Sequence, residues 1–196
     1  MRGRQSSGHS FVEVVFVAGL VVTVSGIAVP QMLASLDDMR AIGATRYLST
    51  RLHRVRAEAV MRSTDVAMQF VQAAGGYTFA VYVDGNRNGI RSRDIEQGVD
   101  RRLGGIERLG DSFNGVEFGA IPGLPAVDPG GTGPGDDPIR LGPSGFATFT
   151  ARGTATPGSL YIRGSRGAQY VIRIFGETGR TRILRFNTRR NRWMPL

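Results

Sequence analysis

Apolar and polar positions are distributed unevenly along this chain. Val14 to Leu36 runs 23 residues without a charge. At about 1.5 Å per residue that is roughly 35 Å of helix, enough to cross a hydrocarbon core of about 30 Å. Glu13 stands at its N-terminal edge, Pro30 lies inside it, and a short leader bearing Arg2 and Arg4 precedes it, ending at Gly8. A cleaved secretory signal would need a small-x-small site soon after the apolar run. Ala28-Val29-Pro30 is a poor one, and the helical pattern continues past it, so the run reads as a retained anchor. From Gln31 to Ser63 the spacing predicts an aqueous helix. Leu36, Met39, Leu48, Leu52, Val55 and Ala59 form an apolar stripe able to bury against a sheet, while Arg54, Glu58 and Arg62 form a ladder facing water. Gly43 is a candidate bend, and His53 reads as a helix residue without a second ligand at helical spacing.

The period then changes from helical to two-residue. Ser63-Thr64-Asp65 ends the helix, and Val66–Val71 and Tyr77–Val83 read as a hairpin around Ala74-Gly75-Gly76. Asp100 to Leu109 suggests a helical turn, and Phe113 to Phe118 a strand. Residues 119–138 hold six Gly, five Pro and three Asp. That leaves little apolar surface to offset the entropy of ordering, and predicts a mobile surface loop. The last 58 residues read as a meander with strands at Ile139–Leu141, Phe146–Thr150, Ser159–Arg163, Gln169–Phe175 and Arg182–Asn187. In Gln169–Phe175, Tyr170, Ile172 and Ile174 face one way and Val171, Arg173 and Phe175 the other. An amphipathic helix and a one-faced sheet each require a partner. The expected fold is therefore α+β: a long N-terminal helix, membrane-spanning in one half and amphipathic in the other, packed against an antiparallel β-sheet head.

Composition removes several chemistries. With 196 residues and no Cys, neither a disulfide framework nor a thiolate metal site exists. All 25 basic residues are Arg, which excludes a Walker A lysine, and no G-x-S-x-G elbow occurs. An enzyme is not expected. Asp84-Gly85-Asn86-Arg87-Asn88-Gly89 fits the opening of a calcium loop, with Asp84, Asn86 and Asn88 as the weak ligand candidates. The twelfth position, however, is Ile95, and Arg87 brings a positive charge. A turn built on Asp, Asn and Gly explains the same letters with no cofactor. The net charge of +9 is also asymmetric: residues 140–196 carry eleven Arg against one acid, Glu177, whereas residues 84–139 carry six Arg against ten acids.

Two sets of motifs carry a family resemblance. Gly8, His9, Glu13 and Pro30, in that spacing, resemble the leader and N-terminal helix of type IV pilins and type II secretion pseudopilins. The resemblance implies that prepilin peptidase cuts after Gly8, removing leader 1–8, and methylates His9. Glu13 becomes the fifth mature residue and pairs with a freed α-amine on the same or a neighbouring subunit, since a bare carboxylate in lipid is costly. His9 stands where the family usually has Phe, and Ser10-Phe11-Val12 is a loose version of its Thr-Leu-Ile. Further on, Gly145-Phe146-Ala147-Thr148-Phe149, Gly158-Ser159-Leu160-Tyr161-Ile162 and Gly179-Arg180-Thr181-Arg182 look like the C-terminal signature of the GspH/FimT pseudopilins.

This implies residues 9–36 as the transmembrane and assembly helix, 37–63 as its amphipathic continuation and 64–196 as a β-rich head. The chain would be a single-pass protein of a bacterial inner membrane with its head on the periplasmic side. Its partners would be the peptidase and other minor and major pilins or pseudopilins, and its place near a filament tip. Some FimT-like members take part in DNA uptake through a Gly-Arg-x-Arg motif, the form of Gly179 to Arg182. Arg180 and Arg182 are then the candidate phosphate contacts, with Arg163, Arg166, Arg185, Arg189, Arg190 and Arg192 as extensions. Tyr161 and Trp193 are either stacking platforms for bases or core and capping aromatics. A negatively charged protein neighbour, or the headgroup surface, is the alternative counterpart.

Overall fold

A computed structural model of the chain describes residues 10–142 and 144–196. The expected leader, with Gly8 and His9, lies outside the described residues. The chain divides into two compact units, Met1–Leu36 and Asp37–Leu196.

The first unit carries the start of helix α1 (Phe11–Arg62), in which Pro30 is an interior position. Every residue from Ser10 to Ser35 is exposed. The side chains so presented are large and apolar, among them Phe11, Phe16, Val22, Ile27 and Met32. Thr23 Oγ1 donates to Gly19 O at 2.8 Å, which satisfies a hydroxyl inside the apolar run without an outside partner.

In the second unit, α1 from Asp37 onward packs against two sheets. Ala41, Ala44, Leu48, Leu52, Val55 and Ala59 are buried at three- and four-residue spacing, as an amphipathic helix requires. The stripe differs from expectation at its start: Met39 is 65% exposed, and small residues, Ala41 and Ala44, take the contact. Gly43 does not interrupt the helix, which runs through it. A Cβ there would meet the Phe113 ring at 3.2 Å, so the glycine makes room for that ring.

The remaining elements are β1 (Val66–Ala73), β2 (Gly76–Val83), α2 (Ser92–Glu96), β3 (Arg101–Arg108), α3 (Leu109–Ser112), β4 (Val116–Phe118), β5 (Ile139–Arg140), β6 (Phe146–Phe149), β7 (Gly158–Gly164), β8 (Gln169–Ile174), β9 (Thr181–Asn187) and β10 (Arg192–Pro195). The first sheet has the order β3-β2-β1-β6 and the second β10-β9-β8-β7-β4, with β5 also paired to β7. Every pairing is antiparallel.

Three expectations change. Asp100–Leu109 is not a helical turn but mostly strand β3, where Gly104-Gly105 disfavours helix and the pairing with β2 shifts register. The C-terminal meander is interrupted, because β6 leaves it to pair with β1 in the other sheet. The tail after Asn187 returns as a further strand, β10.

Two apolar clusters result. The main one joins the helix to the inner sheet faces through Met68, Phe70, Phe79, Val81, Ile162, Tyr170, Ile172 and Ile174, the facing assigned to Tyr170, Ile172 and Ile174 from alternation. The second lies on the opposite face of the second sheet, where Tyr161, Val171, Leu184 and Phe186 are covered by Leu124, with Ile121, Val127 and Trp193 around them. Residues 119–138 have no helix or strand of their own, yet they are tied down. Ile121 N donates to Gln169 Oε1 at 3.0 Å, Trp193 Nε1 to Pro125 O at 3.0 Å and Arg140 Nη1 to Gly133 O at 2.6 Å. Asp128 pairs with Arg173 at 2.6 Å. The loop is thus a cover for a sheet face, which its composition conceals because one Leu, one Ile and one Val do most of the packing.

Candidate basic interface

The turn between β8 and β9 places the two arginines of the Gly-Arg-x-Arg motif. Gly179 N donates to Phe175 O at 2.8 Å and Phe175 N to Arg180 O at 2.9 Å. Gly179 is buried at φ +59°, and a Cβ there would lie 2.4 Å from Gly153 O and 3.0 Å from Arg56 Nε. Only glycine fits that contact. Arg56 Nε donates to Gly153 O at 3.2 Å, and Thr181 Oγ1 shares hydrogen bonds with His53 Nε2 and Ser49 Oγ, both at 3.0 Å. The helix, the 150–154 turn and the β8–β9 turn therefore meet at one point. Arg152, Arg180 and Arg182 are exposed there, with Arg56 half-buried beside them. The sequence reading missed Arg56 and Arg152, whose membership depends on contacts between residues about a hundred positions apart.

The other candidates do not extend this group. Arg163 Nη2 pairs with Glu117 at 2.5 Å and Arg185 Nη2 with Asp38 at 3.1 Å, so both are partly neutralised. Arg166 sits in the β7–β8 turn, and Arg189 and Arg190 in the β9–β10 turn. Those turns are at the far end of the sheet from Gly179, separated by the length of β9, about 20 Å for seven residues. The single basic patch expected from sequence is therefore two patches. Tyr161 is 2% exposed and packs against Trp193 at a tilt of 59°, with ring centroids 5.9 Å apart. Of the two roles open to these rings, they take the core and capping one.

The Asp84 loop is closed by its own backbone. Asp84 Oδ1 accepts from Asn86 N at 3.1 Å and Arg87 N at 2.7 Å, and Oδ2 from Gly89 N at 2.7 Å. Asp100 completes the brace, accepting from Gly85 N and Arg91 N, each at 3.1 Å. Asn86 Oδ1 accepts from Asn88 N at 3.3 Å. The Asp84, Asn86 and Asp100 oxygens thus accept from backbone donors, which holds the loop closed. These letters build an Asx-type turn.

Glu13 lies in the first turn of α1 and Pro30 within the helix. By length and composition, α1 is the one helix among the described residues able to cross a membrane. Comparison with known proteins adds to this geometry. Residues 44–178 match the family described as Type II transport protein GspH, more than half of the chain. The chain is also 35% identical over 82 residues to the pilin-like protein PilA1 of Thermus thermophilus, covering 41% of this chain and 50% of that one. It thus spans about half the length of that relative. No solved structure matches it. A family match of that extent, on a helix-backed pair of antiparallel sheets, shows that this chain belongs to the GspH family of pilin-like proteins, whose members are structural and assembly subunits rather than enzymes.

Proposed function

We propose that this chain is a minor pseudopilin or minor pilin that works near the tip of a type II secretion or type IV pilus filament. It is held in a bacterial inner membrane by residues 9–36, with the head on the periplasmic side, until assembly with other minor and major subunits. Prepilin peptidase removes residues 1–8 and methylates His9, and Glu13 pairs with an α-amine during assembly. The observation that carries the reading is the exposure of every residue from Ser10 to Ser35 on an apolar helix joined to a head of this family. A helix that is apolar all round needs lipid or other helices around it. The test is Gly8→Val, expressed beside a prepilin peptidase, with mass spectrometry of the N-terminus. The wild-type chain is expected to start at a methylated His9 and the variant to keep its leader. A methylated His9 in the variant, or an uncleaved wild type, defeats the proposal.

A second reading, DNA binding during uptake, is favoured by the Arg56, Arg152, Arg180 and Arg182 group. Among the described residues, no carboxylate pairs with any of the four. The detergent-solubilised chain should bind duplex DNA with little sequence preference and a steep salt dependence. Arg180→Gln with Arg182→Gln should flatten the log–log slope by about 0.9 per lost phosphate contact. No binding at low salt removes this reading and leaves the assembly role standing.

A further inference from the structure

The second arginine group is not used by either reading. Arg166, Arg189 and Arg190 are all exposed, and among the described residues no ion pair joins any of their guanidinium groups to a carboxylate. Their two turns lie at the same end of the sheet, because β8 starts where β9 ends: Tyr170 is opposite Arg185 and Gln169 opposite Arg163. The fold ties this end to the first two residues after the uncharged run. Asp37, 5% exposed, accepts from Ser165 Oγ at 3.0 Å, Arg166 N at 3.0 Å and Ala168 N at 3.4 Å. Asp38 Oδ1 accepts from Tyr170 Oη at 2.8 Å and pairs with Arg185 at 3.1 Å. Arg166 is thereby fixed beside the point where the chain leaves the apolar run, and the β9–β10 turn with Arg189 and Arg190 lies at the same end of the sheet.

A cleft of about 570 Å³ opens in the β9–β10 hairpin, lined by Arg189 and the Asp38-paired Arg185 together with Phe186, Met194, Pro195 and Leu196. Charge beside an apolar wall suits a phospholipid headgroup and its glycerol better than it suits a bare polyanion. Guanidinium groups pair with phosphate in a bidentate fashion. The negative potential of an acidic membrane decays over a Debye length, about 8 Å at physiological salt, so only charges held near the exit of the span feel it.

We propose that Arg166, Arg189 and Arg190 form a rim that rests on the acidic phospholipid headgroups of the membrane holding the apolar helix. The inference rests on the reading of that helix as a membrane span. The rim holds the head against the surface until assembly lifts it away, and releases it as phosphate contacts are lost.

The absence of Cys from the chain allows a clean test on the full-length protein in vesicles. A fluorophore is attached to Thr188→Cys in the β9–β10 turn or, as a control, to Glu177→Cys in the β8–β9 turn, and is quenched by spin-labelled headgroups. Replacing about one third of a phosphatidylcholine bilayer with phosphatidylglycerol should raise quenching at 188 at least twofold. High salt should reverse the rise. Arg166→Gln, Arg189→Gln and Arg190→Gln together should hold quenching at the phosphatidylcholine level, with an unchanged circular dichroism melt, and position 177 should respond little. Equal quenching in both lipids, or an equal rise at 177, overturns the rim. Failure of the chain to float with vesicles of either composition overturns the membrane reading itself, and the rim with it.

Discussion

Tyr170 shows how one side chain ties pH to stability in this head. Burial raises its pKa above the usual tyrosine value, and the hydrogen bond donated to Asp38 raises it further. The folded state therefore holds this proton more tightly than the unfolded chain. By linkage, the contribution is complete below the unfolded value of about 10 and is lost as pH rises beyond it. Melting temperature should fall above that pH, and Tyr170→Phe should make the fall shallower while lowering stability at neutral pH by about 1 kcal/mol. Identical alkaline slopes for the two proteins would refute the coupling. Tyr47, Tyr77 and Tyr161 shift in the same direction, so some slope should persist in the variant. Asp37 makes the neighbouring contact. A Cβ on Gly164 would stand 2.5 Å from Asp37 Oδ2, which explains the glycine at the end of β7. Neither Asp37 nor Asp38 stood out in the sequence, because an acid after an apolar run reads as a solvated flank until its partners, well over a hundred residues away, are known.

At the scale of elements, alternation and turn chemistry make the β1–β2 hairpin and the facing of β8 legible in the sequence. They fail where a residue's role depends on distant chain. Arg101-Arg102-Leu103-Gly104-Gly105-Ile106-Glu107-Arg108 has no clear period, and only pairing with β2 makes it a strand. The glycine- and proline-rich cover over the second sheet is the other case. Leu124, 6% exposed, packs with Tyr161, Val171, Leu184 and Phe186. Leu124→Ala should cost about 2 to 3 kcal/mol and loosen the cover over Trp193, the sole tryptophan. Its fluorescence should shift to the red, with far-ultraviolet circular dichroism unchanged. An unshifted emission maximum would mean that the cover does not depend on this leucine.

Across the whole molecule, the helix, the leader spacing and the sheet-rich head pointed to the family from sequence alone, because each is a local pattern. The partition of the arginines was not legible. An excess of charge in the last third of the chain gives a sign without a place, and only strand register separates the Gly179 end from the Arg166 end. On the two proposals above, the groups would make different demands on partners. Quenching at position 188 and the salt slope of DNA binding should therefore respond to different triplets or pairs of substitutions, each leaving the other measurement intact.

The Asp37–Asp38 clasp also bears on mechanics. If the chain works as the filament subunit proposed above, a pull on its N-terminal helix would enter the head at Asp37. Here such a pull arrives at two carboxylates holding Ser165, Arg166, Ala168, Tyr170 and Arg185 together. Such a force would be shared between the helix, the β7–β8 hairpin and β9, and would load these contacts together.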